Sequence, residues 1–228
     1  MTLRLVGMRA SAARNGRATE QAIREAAIGL ISKVGYESMT LRQLAAQAGV
    51  STCTLYLYHQ GKKELLVSLV LDYLEQLSLA WHDRRPHAAA ADVELRAFVD
   101  FHVRYHLLRK EEGVLGNMEL RSLADDDLEI VRNARRAYLG EIQAILQRGI
   151  EQGLFVCDEP KLLAHVLFNM LTHVCSWYRP EGALSVDAVV GEYSQLTLRM
   201  TGYCEVHAVD GVRLSVDRSG IWPGPRSS

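Results

Sequence analysis

Residues 39–66, MTLRQLAAQAGVSTCTLYLYHQGKKELL, decide the fold. They read as two short helices joined by a tight turn, followed by the start of a third helix. That layout is a helix-turn-helix, which sets one helix in the major groove of DNA. Thr40 is a good N-cap, and Gln43 three residues later completes a Thr-x-x-Gln capping box. The helix Leu41 to Gln47 turns Leu44, Ala45 and Ala48 inward, and the small alanines let a second helix approach closely. Gly49 ends it where a left-handed residue is usual, Val50 plugs the turn, and Ser51 caps the next helix.

That next helix, about Thr52 to Tyr58, is the recognition candidate. Leu55 points back into a small core, while Thr52, Cys53, Thr54, Tyr56 and Leu57 face outward. Thr54 and Tyr56 supply hydrogen bonds for bases or phosphates, and threonine methyls or Leu57 suit thymine methyls. Lys62 and Lys63 open the third helix, where cations neutralise phosphate charge. Each feature alone is more often ordinary packing or capping. The order of cap, small-residue helix, glycine turn, serine cap, aromatic-rich helix and basic helix start is far more specific. The DNA-facing set is therefore Thr40, Arg42, Ser51, Thr52, Cys53, Thr54, Tyr56, Leu57, Tyr58, His59 and Lys62.

The segment Ile28 to Leu66 resembles the DNA-binding domain of the TetR family of bacterial transcriptional regulators. The resemblance is carried by Ala26-Ala27, Gly35-Tyr36, Met39-Thr40-Leu41, Leu44-Ala45, Ala48-Gly49-Val50-Ser51, Thr54-Leu55-Tyr56, Tyr58, Lys62 and Glu64-Leu65-Leu66. Two positions depart from the family pattern. Cys53 stands where glycine is usual, and His59 where phenylalanine is usual. Cys53 bears on base preference. His59 is expected to replace a packing aromatic and to reach a phosphate.

Charge supports a head and a body. Residues 1–66 carry nine Lys or Arg against four Asp or Glu, a balance of +5; residues 67–228 carry seventeen against twenty-three, a balance of −6. A basic head on an acidic body suits a protein that offers only one end to nucleic acid. Arg4, Arg9, Arg14 and Arg17 precede any acid. Such an arm either follows phosphates or enters the minor groove, or is a solvated tail. The four cysteines, Cys53, Cys157, Cys175 and Cys204, form no Cys-x-x-Cys pair, so a zinc ribbon or thioredoxin-like site is not indicated. Free thiols are expected, with oxidation sensing at Cys53 as the alternative. No apolar run approaches transmembrane length and no secretory core is present, which predicts a cytoplasmic protein without membrane contact.

The fold class is all-α: a three-helix head plus a larger helical body that binds ligand and dimerises, about nine helices in all. Spacing of about 3.6 residues predicts helices over Thr19–Val34, Lys62–Trp81, Val93–Arg109, Asn117–Ala124, Leu128–Glu151, Pro160–Tyr178 and Val186–Met200. The divisions are 1–18, a flexible basic arm; 19–66, the helix-turn-helix; 67–202, the ligand-binding and dimerisation body; and 203–228, a tail that is either a small strand or irregular. The last two long helices carry broad apolar faces, through Leu162, Val166, Met170 and Trp177 on one and Val189, Tyr193, Leu196 and Met200 on the other. Such faces are either intramolecular core or half of a bundle with a second chain. In the family resembled they form the dimer interface, implying a homodimer on near-palindromic double-stranded operator DNA.

The later half is similar to one branch of that family, through Met118 to Leu123, Arg135-Arg136-x-Tyr138, Gly149 to Phe155, and Trp177 to Ser185. That branch represses fatty-acid and steroid-ring catabolism and answers to CoA thioesters, so the resemblance implies a ligand-released repressor. Arginines such as Arg121, Arg135, Arg136 and Arg179 suit phosphate oxygens. The ligand-contact set is Phe98, Phe101, Arg121, Arg135, Tyr138, Phe168, Met170 and Trp177. Phenylalanine and methionine at helical spacing are more often plain core.

Two rival readings stand beside this one. His102 and His106, four residues apart, suit one metal on a helix, which would make the body an enzyme. No glutamate completes a zincin pattern, and no glycine-rich phosphate loop or nucleophile elbow occurs, so no catalytic residue, cofactor or metal is assigned. The other rival is an interaction module that never touches DNA, against which the basic head argues.

Overall fold

The computed structural model describes the backbone of residues 2–118 and 125–203 and the side chains of residues 15–116 and 126–203. Every regular element among them is helical: α1 (Thr2–Val34), α2 (Leu41–Gln47), α3 (Thr52–Tyr58), α4 (Lys62–Arg84), α5 (Ala91–Leu108), α6 (Lys110–Met118), α7 (Asp125–Glu151), α8 (Pro160–Thr172), α9 (Val174–Trp177) and α10 (Val186–Met200). The tail from residue 204, including the alternating piece 212–216, lies outside the described residues.

Three boundaries differ from the sequence pattern, each for a local reason. α1 runs back to Thr2, so the 1–18 segment expected as a flexible arm is helical from its second residue. No proline interrupts it, and Leu, Met, Ala and Arg are strong helix formers. Thr19, taken for a helix start, instead bonds back to the Asn15 carbonyl at 2.8 Å. The helix expected over 117–124 lies earlier, as α6, separated from α5 by Arg109 alone; residues 119–124 are outside the described set. The helix expected over 160–178 breaks at His173. There the Cys175 thiol donates to the Thr172 carbonyl and the Ser176 hydroxyl donates to the His173 carbonyl, taking up acceptors at the break.

Packing forms two cores that share one helix. The head core gathers Ile23, Ala27 and Ile31 of α1, Leu44 and Ala45 of α2, Leu55 of α3, and Leu65, Leu66, Leu69, Val70 and Leu74 of α4. The body core takes Tyr73, Leu77 and Trp81 of the same α4, with Leu95, Phe98 and Val99 of α5, Tyr138, Ile142 and Leu146 of α7, and Leu167 and Leu171 of α8. The first half of α4 thus belongs to the head and the second half to the body. Leu115 of α6 and Val131 of α7 are buried in the head core although they belong to body helices. Two ion pairs reinforce this junction: Arg24 of α1 with Asp72 of α4 at 2.5 Å, and Lys63 of α4 with Asp127 of α7 at 2.6 Å.

Candidate functional site

The outer face of the head is built by its caps. Thr40 and Gln43 form the reciprocal capping box: the Gln43 amide donates to the Thr40 hydroxyl at 3.2 Å, and the Thr40 amide donates to the Gln43 side-chain oxygen at 2.9 Å. Gly49 adopts φ +68°, a conformation that L side chains rarely take, and so turns the chain between α2 and α3. Ser51 then accepts from the Thr54 amide at 3.0 Å. With Leu55 fully buried below, α3 holds Thr52, Cys53, Tyr56 and Leu57 out to solvent; Tyr56 is 52% and Leu57 84% exposed. Thr40, Arg42 and Ser51 are also exposed, and Thr54 and Tyr58 are half-buried. The Thr54 hydroxyl lies 2.8 Å from that of Ser51, so part of its hydrogen-bonding capacity serves the cap.

One expectation on this face needs correction, and one residue has a further partner. His59 is buried, 5% exposed, and burial lowers its pKa, so it is a neutral packing group and not a phosphate contact. Its Nε2 has no hydrogen-bond partner among the described residues. The backbone turns extended at His59 to end α3, and this carries the ring under the head instead of along its surface. Lys62 is engaged within the head: its Nζ donates to the Glu37 carbonyl at 2.9 Å and lies 4.3 Å from the centre of the Tyr36 ring. This bond ties α4 to the loop before α2.

In the body, a buried polar ladder crosses between α5, α7 and α8. The His102 ring stands 3.0 Å from both the Tyr138 hydroxyl and the Thr172 hydroxyl, and stacks on His106 at 4.1 Å. His106 Nδ1 donates to the His102 carbonyl at 2.9 Å. Burial holds both imidazoles neutral: His102 is pushed well below its usual range and His106 down to about 4. The metal reading of this pair fails on geometry, because both nitrogens of His102 and one of His106 already face protein partners. No group of three metal-binding side chains exists among the described residues.

Beside the ladder lies a small crevice of about 10 Å³ between Tyr73, Leu74 and Leu77 of α4, His106 of α5, Gly116 of α6, Arg135 of α7, and Phe168 and Thr172 of α8. Of the ligand residues read from the sequence, Arg135 and Phe168 line it, with the guanidinium 5.8 Å from the Phe168 ring centre. Tyr138 lies one layer behind, on His102. Phe98 and Phe101 do not reach the crevice. They pack against Trp81 in the body core, which apolar periodicity cannot distinguish from a lining. Met170 is half-buried against the same core. Trp177, 43% exposed, sits against Tyr178 and Tyr193 near the outer surface. Arg121 lies outside the described residues, and Arg136 is exposed and paired with Glu129. The sequence reading missed Tyr73 and Thr172, and it weighed His106 only in a rival metal pair to which no metal was assigned. The four-residue spacing of the histidines was the visible signal, and it marks a stacked polar pair.

The late helices leave apolar side chains unburied: Leu162 and Val166 of α8, Trp177 of α9, and Leu196 and Met200 of α10 are each 40% exposed or more. No helix among the described residues is long and apolar enough to cross a membrane.

Comparison with known proteins agrees with this architecture. The family model for bacterial regulatory proteins of the tetR family matches residues 23–69, and that for the tetracyclin repressor-like C-terminal domain matches residues 89–201. The HTH-type transcriptional repressor KstR2 of Rhodococcus jostii (strain RHA1) is 24% identical over 195 residues, covering 81% of this chain and 91% of that protein. A bacterial regulatory protein in the tetR family from Rhodococcus RHA1 superposes with a TM-score of 0.78 at 25% identity, covering 82% of this chain and 98% of the other. AibR, solved in complex with isovaleryl coenzyme A and operator DNA, gives a TM-score of 0.72 at 20% identity over 78% of this chain and 97% of the other, a likeness of fold. The two family models take in the head and the body separately, and on both the chain belongs to the TetR family of bacterial regulatory proteins.

Proposed function

We propose that this protein is a cytoplasmic transcriptional repressor, not an enzyme, that binds a near-palindromic operator as a homodimer and releases it when a CoA thioester occupies the body. The observation that carries the reading is the capped α3, which turns Thr52, Cys53, Tyr56 and Leu57 outward on a head of net charge +5. Base contacts come from the outward side chains of α3. Thr40, Arg42, Ser51 and the half-buried Tyr58 are assigned to the phosphate path. Cys53 occupies the recognition helix where a smaller residue would let the backbone nearer the bases, so it is the position expected to set this protein's own base preference.

Dimerisation is supported by the exposed apolar set on α8, α9 and α10, the part of the surface that most needs a cover. A two-fold dimer sets its recognition helices about one DNA turn, roughly 34–36 Å, apart. The effector assignment is supported by the KstR2 relative, a repressor by name, and by a body that folds like AibR, whose structure holds isovaleryl coenzyme A. The crevice touches α4, the helix that serves both cores, so a ligand that enters by widening it acts on the head through that helix.

A gel shift on the DNA upstream of the protein's own gene, run over a salt series, tests the reading. A specific complex should form, weaken with salt at a slope of about −0.9 per phosphate neutralised, and dissolve on addition of a CoA thioester. Absence of any sequence-specific, salt-sensitive complex would overturn it.

A further inference from the structure

From Ser51 to Gln60, the recognition helix and its flanks, two side chains are buried: Leu55 and His59. They stand four residues apart, one helical turn, and so face the head from the same side of α3. α3 is seven residues long, and a helix that short does not hold itself in water, so its seat on the head sets its orientation. Ser51 fixes the front of α3 through the Thr54 amide, and at the back the His59 amide donates to the Leu55 carbonyl at 3.1 Å. Leu55 is apolar and keeps its place at any pH. Of the two anchors, only His59 can change its charge.

The seat of His59 suits the neutral ring and not the charged one. The residue is 5% exposed, and its Nε2 is buried with no hydrogen-bond partner among the described residues. A neutral imidazole leaves one bare nitrogen acceptor there; a protonated ring must bury a charge and an N–H donor with nothing to receive it. Charged groups act on the ring from two helices, Glu64 and Asp72 of α4 and Glu20 and Arg24 of α1, while α3 itself has no charged side chain. The three acids favour the charged ring, but two of them are already engaged. Glu64 Oε2 accepts from the Gln60 amide at 2.7 Å, and Asp72 pairs with Arg24 at 2.5 Å. Burial is the larger effect and holds the ring neutral. A proton on Nε2 therefore either pulls Glu64 off the Gln60 amide, which loosens the link from α3 to α4, or drives the ring out to water.

Resting on the operator-binding reading, we infer that His59 is the positioning residue of the recognition helix, and that operator and proton exclude each other there. Uncharged, His59 seats α3 so that Thr52, Cys53, Tyr56 and Leu57 are presented to DNA together. Protonated, it leaves the seat, and the end of α3 goes with it. Phenylalanine, the residue usual at this place in the family, anchors without such sensitivity, so the property belongs to this chain. The released ring titrates at the ordinary 6.5 and the seated ring lower. Below pH 6.5 protons thus favour the released form, and operator affinity falls. One proton per head bounds the loss at about tenfold per pH unit, and the preference of α3 for its seat takes up part of it.

The test uses the full-length protein and the DNA upstream of its own gene, with affinity followed by fluorescence anisotropy at pH 7.5, 6.5 and 5.5 and fixed ionic strength. Wild type should lose affinity by about threefold or more across that range while its helical circular dichroism persists. His59→Phe should keep at pH 5.5 the affinity it has at pH 7.5, whatever that level is. Because the linkage is reciprocal, saturating operator should move the titration midpoint of the wild-type His59 ring, read by proton NMR, to lower pH. The same fall with pH in wild type and His59→Phe overturns the inference, and so does a midpoint that operator leaves in place or raises. A flat wild-type profile overturns it too, while leaving the operator reading intact. A fall that tracks lost circular dichroism belongs to the whole fold and likewise overturns it. Absence of a specific complex even at pH 7.5 overturns the operator reading and the inference together. Should His59→Phe fail to fold, His59→Leu takes its place, with the same pH-independent affinity expected.

Discussion

The stacked histidines should make the body acid-sensitive, and His106 gives the effect a size. Burial, and to a smaller degree the Arg135 charge, hold its folded pKa at about 4 against 6.5 in the unfolded chain, although the His102 carbonyl pulls the other way. Between those values the unfolded state binds the proton and the folded state does not, so stability falls as pH drops from about 6.5 toward 4. From pH 7.5 to pH 5.0 this single group removes about 2 kcal/mol of folding free energy, approaching about 3 kcal/mol below pH 4. His102, lowered more strongly by burial, works in the same direction. Urea unfolding at fixed protein concentration, at pH 7.5 and at pH 5.0, measures the loss in wild type and in His106→Gln. Glutamine is expected to lower stability at both pH values, so the informative quantity is the difference between them. The variant should lose about 2 kcal/mol less than wild type over that interval. Since carboxylates titrate alike in both proteins, an unchanged difference would show that His106 is already protonated in the fold.

Three further outcomes are expected. Tyr56→Ala should cost roughly 1–3 kcal/mol of operator affinity in a gel shift with no change in Tm, because the side chain is 52% exposed; a fall in Tm would mean the residue is structural. Leu162→Glu combined with Leu196→Glu should give a monomer by sedimentation while the helical circular dichroism persists; an unchanged dimer would move the interface elsewhere. His59→Phe should raise folding stability by about 1 kcal/mol in urea unfolding, since it removes a buried nitrogen without a partner; a destabilised variant would show that the nitrogen is satisfied in solution.

The head was legible because its elements are punctuated by residues whose chemistry is local. Thr40, Gln43, Gly49 and Ser51 act within three or four residues of themselves, and the structure shows their bonds and the Gly49 turn as read. His59 was misplaced and the head contacts of Lys62 were missed, because both depend on partners outside the motif. His59 is buried by the head core, and Lys62 reaches back 25 residues to the Glu37 carbonyl. In the body, helical periodicity found the apolar faces but could not order them by depth. Phe98 in the core and Phe168 on the crevice have the same spacing signature and different neighbours. The crevice itself is assembled from five helices, so no single window of sequence contains it. The break at His173 likewise depends on side-chain bonds that compete with the helix, which spacing does not register.

The division of α4 between two cores limits how the body can instruct the head. Leu65, Leu66, Leu69, Val70 and Leu74 fix its first half to α1, α2 and α3, while Tyr73, Leu77 and Trp81 fix its second half to the body. At the far end, Arg85 and Arg148 both pair with the buried Glu94, at 2.6 and 2.5 Å, and hold the α4–α5 corner against α7. A helix held at both ends transmits a rotation and does not absorb it by bending. Tyr73 and Leu74 are adjacent, one in each core, so a group entering the crevice displaces the helix where the two cores meet. Leu115 adds a second link, since α6 carries the Gly113–Tyr73 contact and also plugs the head core. The energy available for the switch is bounded by the ligand's preference for the body conformation that releases DNA. Taking a dimer from almost wholly DNA-competent to almost wholly released needs about 5.5 kcal/mol of differential affinity.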